Sequence, residues 1–232
     1  LRTINDAKKI LKASKKANDI LMVGAGLVGL ETSYALEKKG KKITILAKSN
    51  QVLSRNSDVD CARIIQKDIE QRGICFLFGR DVIGITPAKN RMHVTTDQND
   101  KLIVDLIVVG KGVNPNIQFL NGSEIKRDEG ILVDLQMQTN LSNVYAAGDC
   151  AQARNLFTGK YEIFGSWPSA CLEGKIAGLN MAGRETRSAG EIAYNILPVF
   201  NRTAAFAAKR DAKDSQTEIF KHVDKNRGTY RK

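Results

Sequence analysis

The sequence predicts an α/β chain built on a parallel sheet, and three features carry that prediction. The apolar run Ile20-Leu21-Met22-Val23 leads straight into Gly24-Ala25-Gly26-Leu27-Val28-Gly29. Strand-length apolar runs then alternate with segments of helical spacing in a β-α-β-α-β order. Consecutive strands separated by helices can pair only side by side in one direction, through right-handed crossovers. The third feature is a later strand-like run, Val144-Tyr145-Ala146-Ala147, that ends on Gly148-Asp149.

The elements follow in order. Thr3-Ile4-Asn5-Asp6 reads as a helix N-cap leading into residues 7–14, with Ala7, Ile10 and Leu11 on one side. The first strand is Asp19–Val23. Its helix covers residues 27–39 and closes at Gly40, a natural place for a left-handed residue. The second strand is Lys42–Ala47. A helix from near Asp58 to Gly73 carries Val59, Ala62, Ile65 and Ile69 at helical spacing, and residues 74–78 form the third strand. Arg91–Thr96 and Lys101–Val104 flank Asp97-Gln98-Asn99-Asp100 as a hairpin. Leu106–Val109 suits a buried strand, and residues 144–147 a second short one.

The glycine spacing has a chemical reading. Gly24 permits a tight turn, Gly26 lets the backbone approach a pyrophosphate, and Gly29 lets the helix pack close to the strand. The amides of Ala25, Gly26, Leu27 and Val28 surround that turn, and a helix N-terminus offers unpaired N–H groups and a positive dipole end to an anion. Gly110 and Gly112, just past the Leu106–Val109 strand, are grouped with the same cofactor site. In this arrangement an acid about 20 residues after the glycines holds the adenine ribose and repels a 2′-phosphate. Here that place holds Ala47, followed by Lys48 and Ser49, which could each give a phosphate a charge-assisted hydrogen bond. NADPH is therefore expected to bind at least as well as NADH. Glu31 falls on the first turn of the helix by this reading, where an acid is stabilising in any case. Asp149, at the end of its strand, can accept hydrogen bonds from a sugar-like chain of hydroxyls.

In their order along the chain, these segments resemble the FAD-dependent pyridine nucleotide–disulfide oxidoreductase family. The resemblance spans roughly residues 1–183. It includes Gly112-Val113-Asn114-Pro115-Asn116, similar to the family's G-x-x-P-N link between nucleotide domains. It also includes Trp167-Pro168-Ser169-Ala170 with Glu173-Gly174-Lys175-Ile176-Ala177, similar to the helix that passes the flavin ring. The nearest branch is that of NADH oxidases, rubredoxin and ferredoxin reductases, and the flavin part of nitrite reductase. The resemblance implies NAD(P)H and FAD as cofactors, Gly148 and Asp149 as flavin contacts, and Glu31 beside the nicotinamide, positioning its carboxamide. It also implies a Rossmann-like NAD(P)-binding domain over residues 1–112, the C-terminal part of an FAD-binding domain over 113–183, and the start of an interface domain over 184–232.

Family members resemble chains with two glycine-rich nucleotide domains, and this sequence has one such motif. Leu1 is not a start methionine, and residues 228–232 read as a turn leading into a strand that is not there. The expectation is a piece of a longer flavoenzyme lacking its N-terminal FAD-binding segment. The alternative is a compact, non-catalytic NAD(P)-binding module that docks a partner through a basic surface.

Composition narrows the remaining classes. The 36 Lys and Arg against 25 Asp and Glu give a net charge of +11. Lys8, Lys9, Lys12, Lys15 and Lys16 form one cluster, and Lys38, Lys39, Lys41 and Lys42 another. No aromatics interleave with them and no nucleic-acid-binding module accompanies them, so nucleic acid is not the expected partner. A solvated face, or a docking surface for an acidic small electron carrier, fits better. Cys61, Cys75, Cys150 and Cys171 form no C-x-x-C pair, and with His93 and His222 alone no metal site is expected. No apolar stretch approaches the roughly 20 residues of a membrane span. A cytoplasmic location follows from the unpaired cysteines, and an oligomer remains open.

Overall fold

In a computed structural model of the chain, residues 1–199, 202–207, 218–224 and 227–232 are described. The backbone divides into two compact units, one centred on Leu1–Gly112 and one on Val113–Ile196, with the residues beyond 196 shared between them.

The first unit is α/β with a Rossmann-like parallel sheet. Helix α1 (Ile4–Ser14) starts on a capping box, with Thr3 and Asp6 each bonding the other's backbone. Strand β1 (Asp19–Val23), helix α2 (Leu27–Glu37), β2 (Lys42–Ala47), α3 (Val59–Glu70) and β3 (Cys75–Phe78) follow. An antiparallel meander comes next: β4 (Val82–Ala88), β5 (Arg91–Thr96) and β6 (Lys101–Val104). Strand β7 (Leu106–Val109) then returns to the main sheet. The sheet order is β3-β2-β1-β7, all parallel. β1 is therefore central, flanked by a strand that follows it and one from far along the chain. That reversal of direction at β1 opens the crevice where such sheets take ligands.

Residues 20–23 of β1 are all buried, as expected of a strand covered on both faces. Leu21, Val23, Leu46, Val94 and Val104 form one core between sheet and meander. At the edge, Arg91 bridges Asp19 and Asp105, and Asp105 also accepts the amides of Asn18 and Asp19. The short strand β13 (His222–Asp224) pairs antiparallel with β14 (Thr229–Arg231).

The second unit is built on β8 (Ile131–Leu132), β9 (Ala151–Arg154) and β10 (Tyr161–Glu162), packed with helix α4 (Trp167–Met181). Its core joins Ile131, Val133, Met137, Ala151, Phe164 and Ile176. Ser166 caps α4 by accepting the Ser169 amide, and Pro168 sits in the first turn, where its missing N–H costs nothing. The strands β11 (Tyr194–Val199) and β12 (Arg202–Ala207) pair with each other.

Four expectations need correction. Residues 144–147 are not a strand: they make one antiparallel bridge, Gln138 to Tyr145, and are only half-buried. Met137 (φ 63) and Asn143 (φ 64) both adopt left-handed backbone, which breaks a ladder after a single pair. Strand β4 was not foreseen, because Gly84 and Pro87 interrupt its pattern and most of its residues are half-exposed or exposed. Helix α2 ends at Glu37, two residues early, although Gly40 does take the left-handed form (φ 73). The strand expected to be missing after the last turn is present: residues 229–231 form it, paired with His222–Asp224.

Candidate functional site

Among the described residues, three of the four α-helices are capped at the N-terminus by a side chain: Thr3, Asp58 and Ser166. Helix α2 is not. Its N-cap is Gly26, with no side-chain cap hydrogen bond. The first amides of a helix have no acceptor within it, so this helix end is the one left open to an external anion.

The three motif glycines are not equivalent. A Cβ on Gly24 (φ 119) would lie 2.3 Å from the Gly110 carbonyl oxygen, and one on Gly29 would lie 2.1 Å from the Gly24 carbonyl oxygen. Gly110 in turn approaches the backbone of Gly29, 3.6 Å from where its own Cβ would be. These glycines lock the turn after β1 against the end of β7. A Cβ on Gly26 would meet nothing within 4 Å. The space over Gly26 is thus empty and lies at the uncapped helix end, the shape a pyrophosphate requires. Ala25 is buried, and its carbonyl accepts the Leu53 amide, which fastens the loop after β2 to the turn. Leu27 is half-buried and Val28 exposed. Gly112 (φ 95) is exposed, with nothing near its Cβ position.

Glu31 is exposed and is the fifth residue of α2, past the first turn, which holds no acid. Its placement is a correction, and it weakens the dipole explanation for an acid there. At the end of β2, Ala47 is 6% exposed and Lys48 is exposed. The Ser49 hydroxyl donates to the Gln51 carbonyl at 2.8 Å, leaving its lone pairs rather than its proton free. Beside them, Lys111 bonds both oxygens of Asp81 at 2.7 and 2.8 Å. That bond, with Lys48 adding a weaker pull, holds the Asp81 carboxyl below the usual range.

In the second unit, Gly148 (φ 78) and Asp149 lie in a single 3-10 turn, Gly148–Cys150. The Asp149 side chain is exposed. Gly148 donates its N–H to Glu173 Oε2 at 2.6 Å. Glu173 is 1% exposed. Burial pushes it up to about 7, and Glu191 and Asp149 push the same way against the Gly148 bond. In the sequence Glu173 stands out only as part of the Glu173-Gly174-Lys175-Ile176-Ala177 motif. Its signal was there: Ser169, Glu173, Ile176 and Ala177 recur at helical spacing on one stripe, and an acid on an apolar stripe is anomalous.

The two lysine clusters meet. Lys8 and Lys12 of α1, Lys15 just past its end, and Lys39 and Lys41 after α2 line one groove with Leu11 and Ser14. Among the described residues, no group of His, Cys, Asp and Glu could hold a metal ion, and no helix is long and apolar enough to cross a membrane.

Residues 1–174 match the pyridine nucleotide-disulphide oxidoreductase family. The chain belongs to that family. The oxidoreductases of this family transfer hydride and electrons, and membership implies FAD and NAD(P)H as cofactors. Within the family, the chain falls in the branch of NADH oxidases, rubredoxin reductases and nitrite reductases. The whole chain is 33% identical to the epsilon subunit of NADH-dependent phenylglyoxylate dehydrogenase from Aromatoleum evansii, covering 55% of that protein. It is 33% identical to an NADH oxidase from Methanocaldococcus jannaschii over 81% of the chain and 42% of the relative. The NAD-dependent persulfide reductase from A. fulgidus superposes with a TM-score of 0.83 at 26% identity, over 88% of this chain and 38% of that one. The chain thus spans about half the length of the curated relatives it matches.

Proposed function

We propose that this chain is the pyridine-nucleotide half of an FAD-dependent NAD(P)H oxidoreductase. The turn at Gly26 would hold NAD(P)H, and Asp149 would help hold a flavin, the group that would take up the hydride and hand electrons to an acceptor. The observation that carries this reading is the uncapped, open N-terminus of α2 at Gly26, set among helices that are otherwise side-chain capped. The amides around Gly26, Leu27 and Val28 receive the pyrophosphate, while Gly24, Gly29 and Gly110 keep the backbone close enough to do so. Glu31 positions the nicotinamide carboxamide. Lys48 meets the 2′-phosphate of the adenine ribose and Ser49, its own proton committed to Gln51, accepts from a ribose hydroxyl, so that NADPH binds at least as well as NADH. When bound, the flavin accepts the hydride and passes electrons onward.

The chain's residues do not specify the acceptor; an acidic small electron-carrier protein is the partner whose charge complements the groove of Lys8, Lys12, Lys15, Lys39 and Lys41. The same groove supports a second reading, a non-catalytic NAD(P)-binding module that docks a partner through its basic face. Helix C-termini attract lysines in any protein, so the groove alone does not choose between the two.

Two measurements do. Calorimetric titration of NADPH and NADH tests the Gly26 site: binding by the wild type and its loss in Gly26→Val are expected, and equal affinity in both overturns the assignment. A visible flavin spectrum, with NAD(P)H oxidation in the protein that carries both nucleotide domains, separates an enzyme from a docking module.

A further inference from the structure

Glu173 is the most anomalous side chain in the second unit. It is a carboxyl at 1% exposure on the packed face of α4, and it accepts the Gly148 N–H. Gly148 begins the turn that presents Asp149, and a Cβ there would lie 3.4 Å from the Ala170 Cβ, so α4 lies directly against that turn. The charged groups that act on Glu173 are Asp149, from the turn, and Glu191, from the segment that bridges to Asn155. Both are negative. Glu191 is itself 5% exposed, interacts with the Ser169 hydroxyl, and leaves Oε1 without a partner. A buried acid among acids adds nothing to packing that a leucine would not add better. Its distinctive contribution is the bond to the turn.

We propose that Glu173 is a positioning residue whose buried carboxylate fixes the Gly148-Asp149 turn and so sets how tightly Asp149 holds a flavin's hydroxyl chain. This rests on the flavin reading given above. A carboxylate accepts an N–H more strongly than a neutral carboxyl does. With burial pushing Glu173 up to about 7, the strong form of the bond is gained and lost across the neutral range. Below that range the turn is held weakly; above it, firmly. Flavin retention therefore rises with pH between about 6 and 8.

The first test reads the turn without flavin. In 15N-labelled wild-type chain, the Gly148 amide shift should titrate with a midpoint near 7. In Glu173→Gln, which keeps an acceptor but no charge, it should be flat. The second test uses the flavin-loaded protein that carries both nucleotide domains. The wild-type flavin dissociation constant should fall several-fold from pH 6 to pH 8. Glu173→Gln should lose that slope, and Glu173→Leu should bind about tenfold more weakly at pH 8, the effect of one charge-assisted hydrogen bond at the low end of its range. Melting temperatures of both variants at each pH show that they are folded. A Gly148 amide that does not titrate, or titrates equally in Glu173→Gln, overturns the inference. So does flavin affinity that is unchanged in both variants. Wild type that holds no flavin at any pH removes the flavin reading and this inference together, an outcome distinct from flavin held without a Glu173 effect.

Discussion

Each motif glycine has its own reason to lack a side chain, and the reasons predict opposite outcomes for substitution. At Gly29 a methyl group would be forced to 2.1 Å from a backbone carbonyl that cannot swing away. Gly29→Ala should therefore destabilise the fold by about 1–3 kcal/mol, the usual cost of overpacking, seen as a lower melting temperature. At Gly26 a side chain has free space and an extended backbone (φ −86, ψ −173) that any residue adopts. Gly26→Val should keep the wild-type melting temperature and lose at least about tenfold in dinucleotide affinity, roughly 1.4 kcal/mol. The division of labour among Gly24, Gly26 and Gly29 was legible in their spacing. The closing contact with Gly110 was not, because it joins strands that are neighbours only once the sheet has formed. The proposed cofactor preference rests on two adjacent residues. Ala47 is buried and Lys48 is exposed, so the informative change is Lys48→Glu. It should shift preference from NADPH towards NADH, measured as the ratio of the two dissociation constants. A wild-type preference for NADH of tenfold or more would show that Lys48 does not meet the phosphate.

Elements were readable where local chemistry alone fixes them. Asp19–Val23, Lys42–Ala47, Arg91–Thr96, Lys101–Val104 and Leu106–Val109 have the bounds expected of them, because apolar runs there end at glycines, lysines or a polar turn. The misreadings have a shared cause. β4 exists because β5 templates it, despite Gly84 and Pro87. Residues 144–147 fail as a strand because the partner segment turns left-handed at Met137. Neither fact is local. Helix α3 illustrates an element held by more than its own sequence. Its cap, Asp58, accepts the Cys61 amide at 3.1 Å and also meets the Tyr230 hydroxyl and the Lys232 ammonium. Burial pushes the Asp58 carboxyl up, but the bonds from Tyr230, the Cys61 amide and Lys232 outweigh it, and the group ends below its ordinary range. A carboxyl lowered by folding stabilises the protein above its unfolded value, near 3.9, and loses that contribution as pH falls through the folded value. Asp58→Ala should therefore cost about 1–2 kcal/mol at pH 7. The gap in melting temperature between variant and wild type should close below about pH 4.

At the scale of the whole molecule, two compact units carry unequal shares of the proposed cofactors. The first has a complete glycine-rich turn, with its strand, its helix and the closing contact at Gly110. The second offers a flavin one exposed acid, Asp149, and the turn that holds it. A flavin dinucleotide also has a pyrophosphate and an adenine, which need their own glycine-rich turn, and the 232 residues contain a single G-x-G-x-x-G. The second unit also exposes Phe119 at 72%, Phe157 at 67% and Trp167 at 84%, large apolar groups that favour association with another surface. The chain by itself should therefore bind NADPH, purify colourless or faintly yellow, and oxidise NAD(P)H slowly. Joined to a second glycine-rich nucleotide domain, it should gain flavin colour and turnover together. In that longer protein Asp149→Ala should release flavin more readily while leaving NADPH affinity intact, because the two cofactors are anchored in different units. Absorption spectra of the purified proteins, with flavin counted per chain, decide the matter. One flavin per chain on the 232 residues alone would mean that Asp149 and its turn suffice, and that the division of cofactors between the units is wrong.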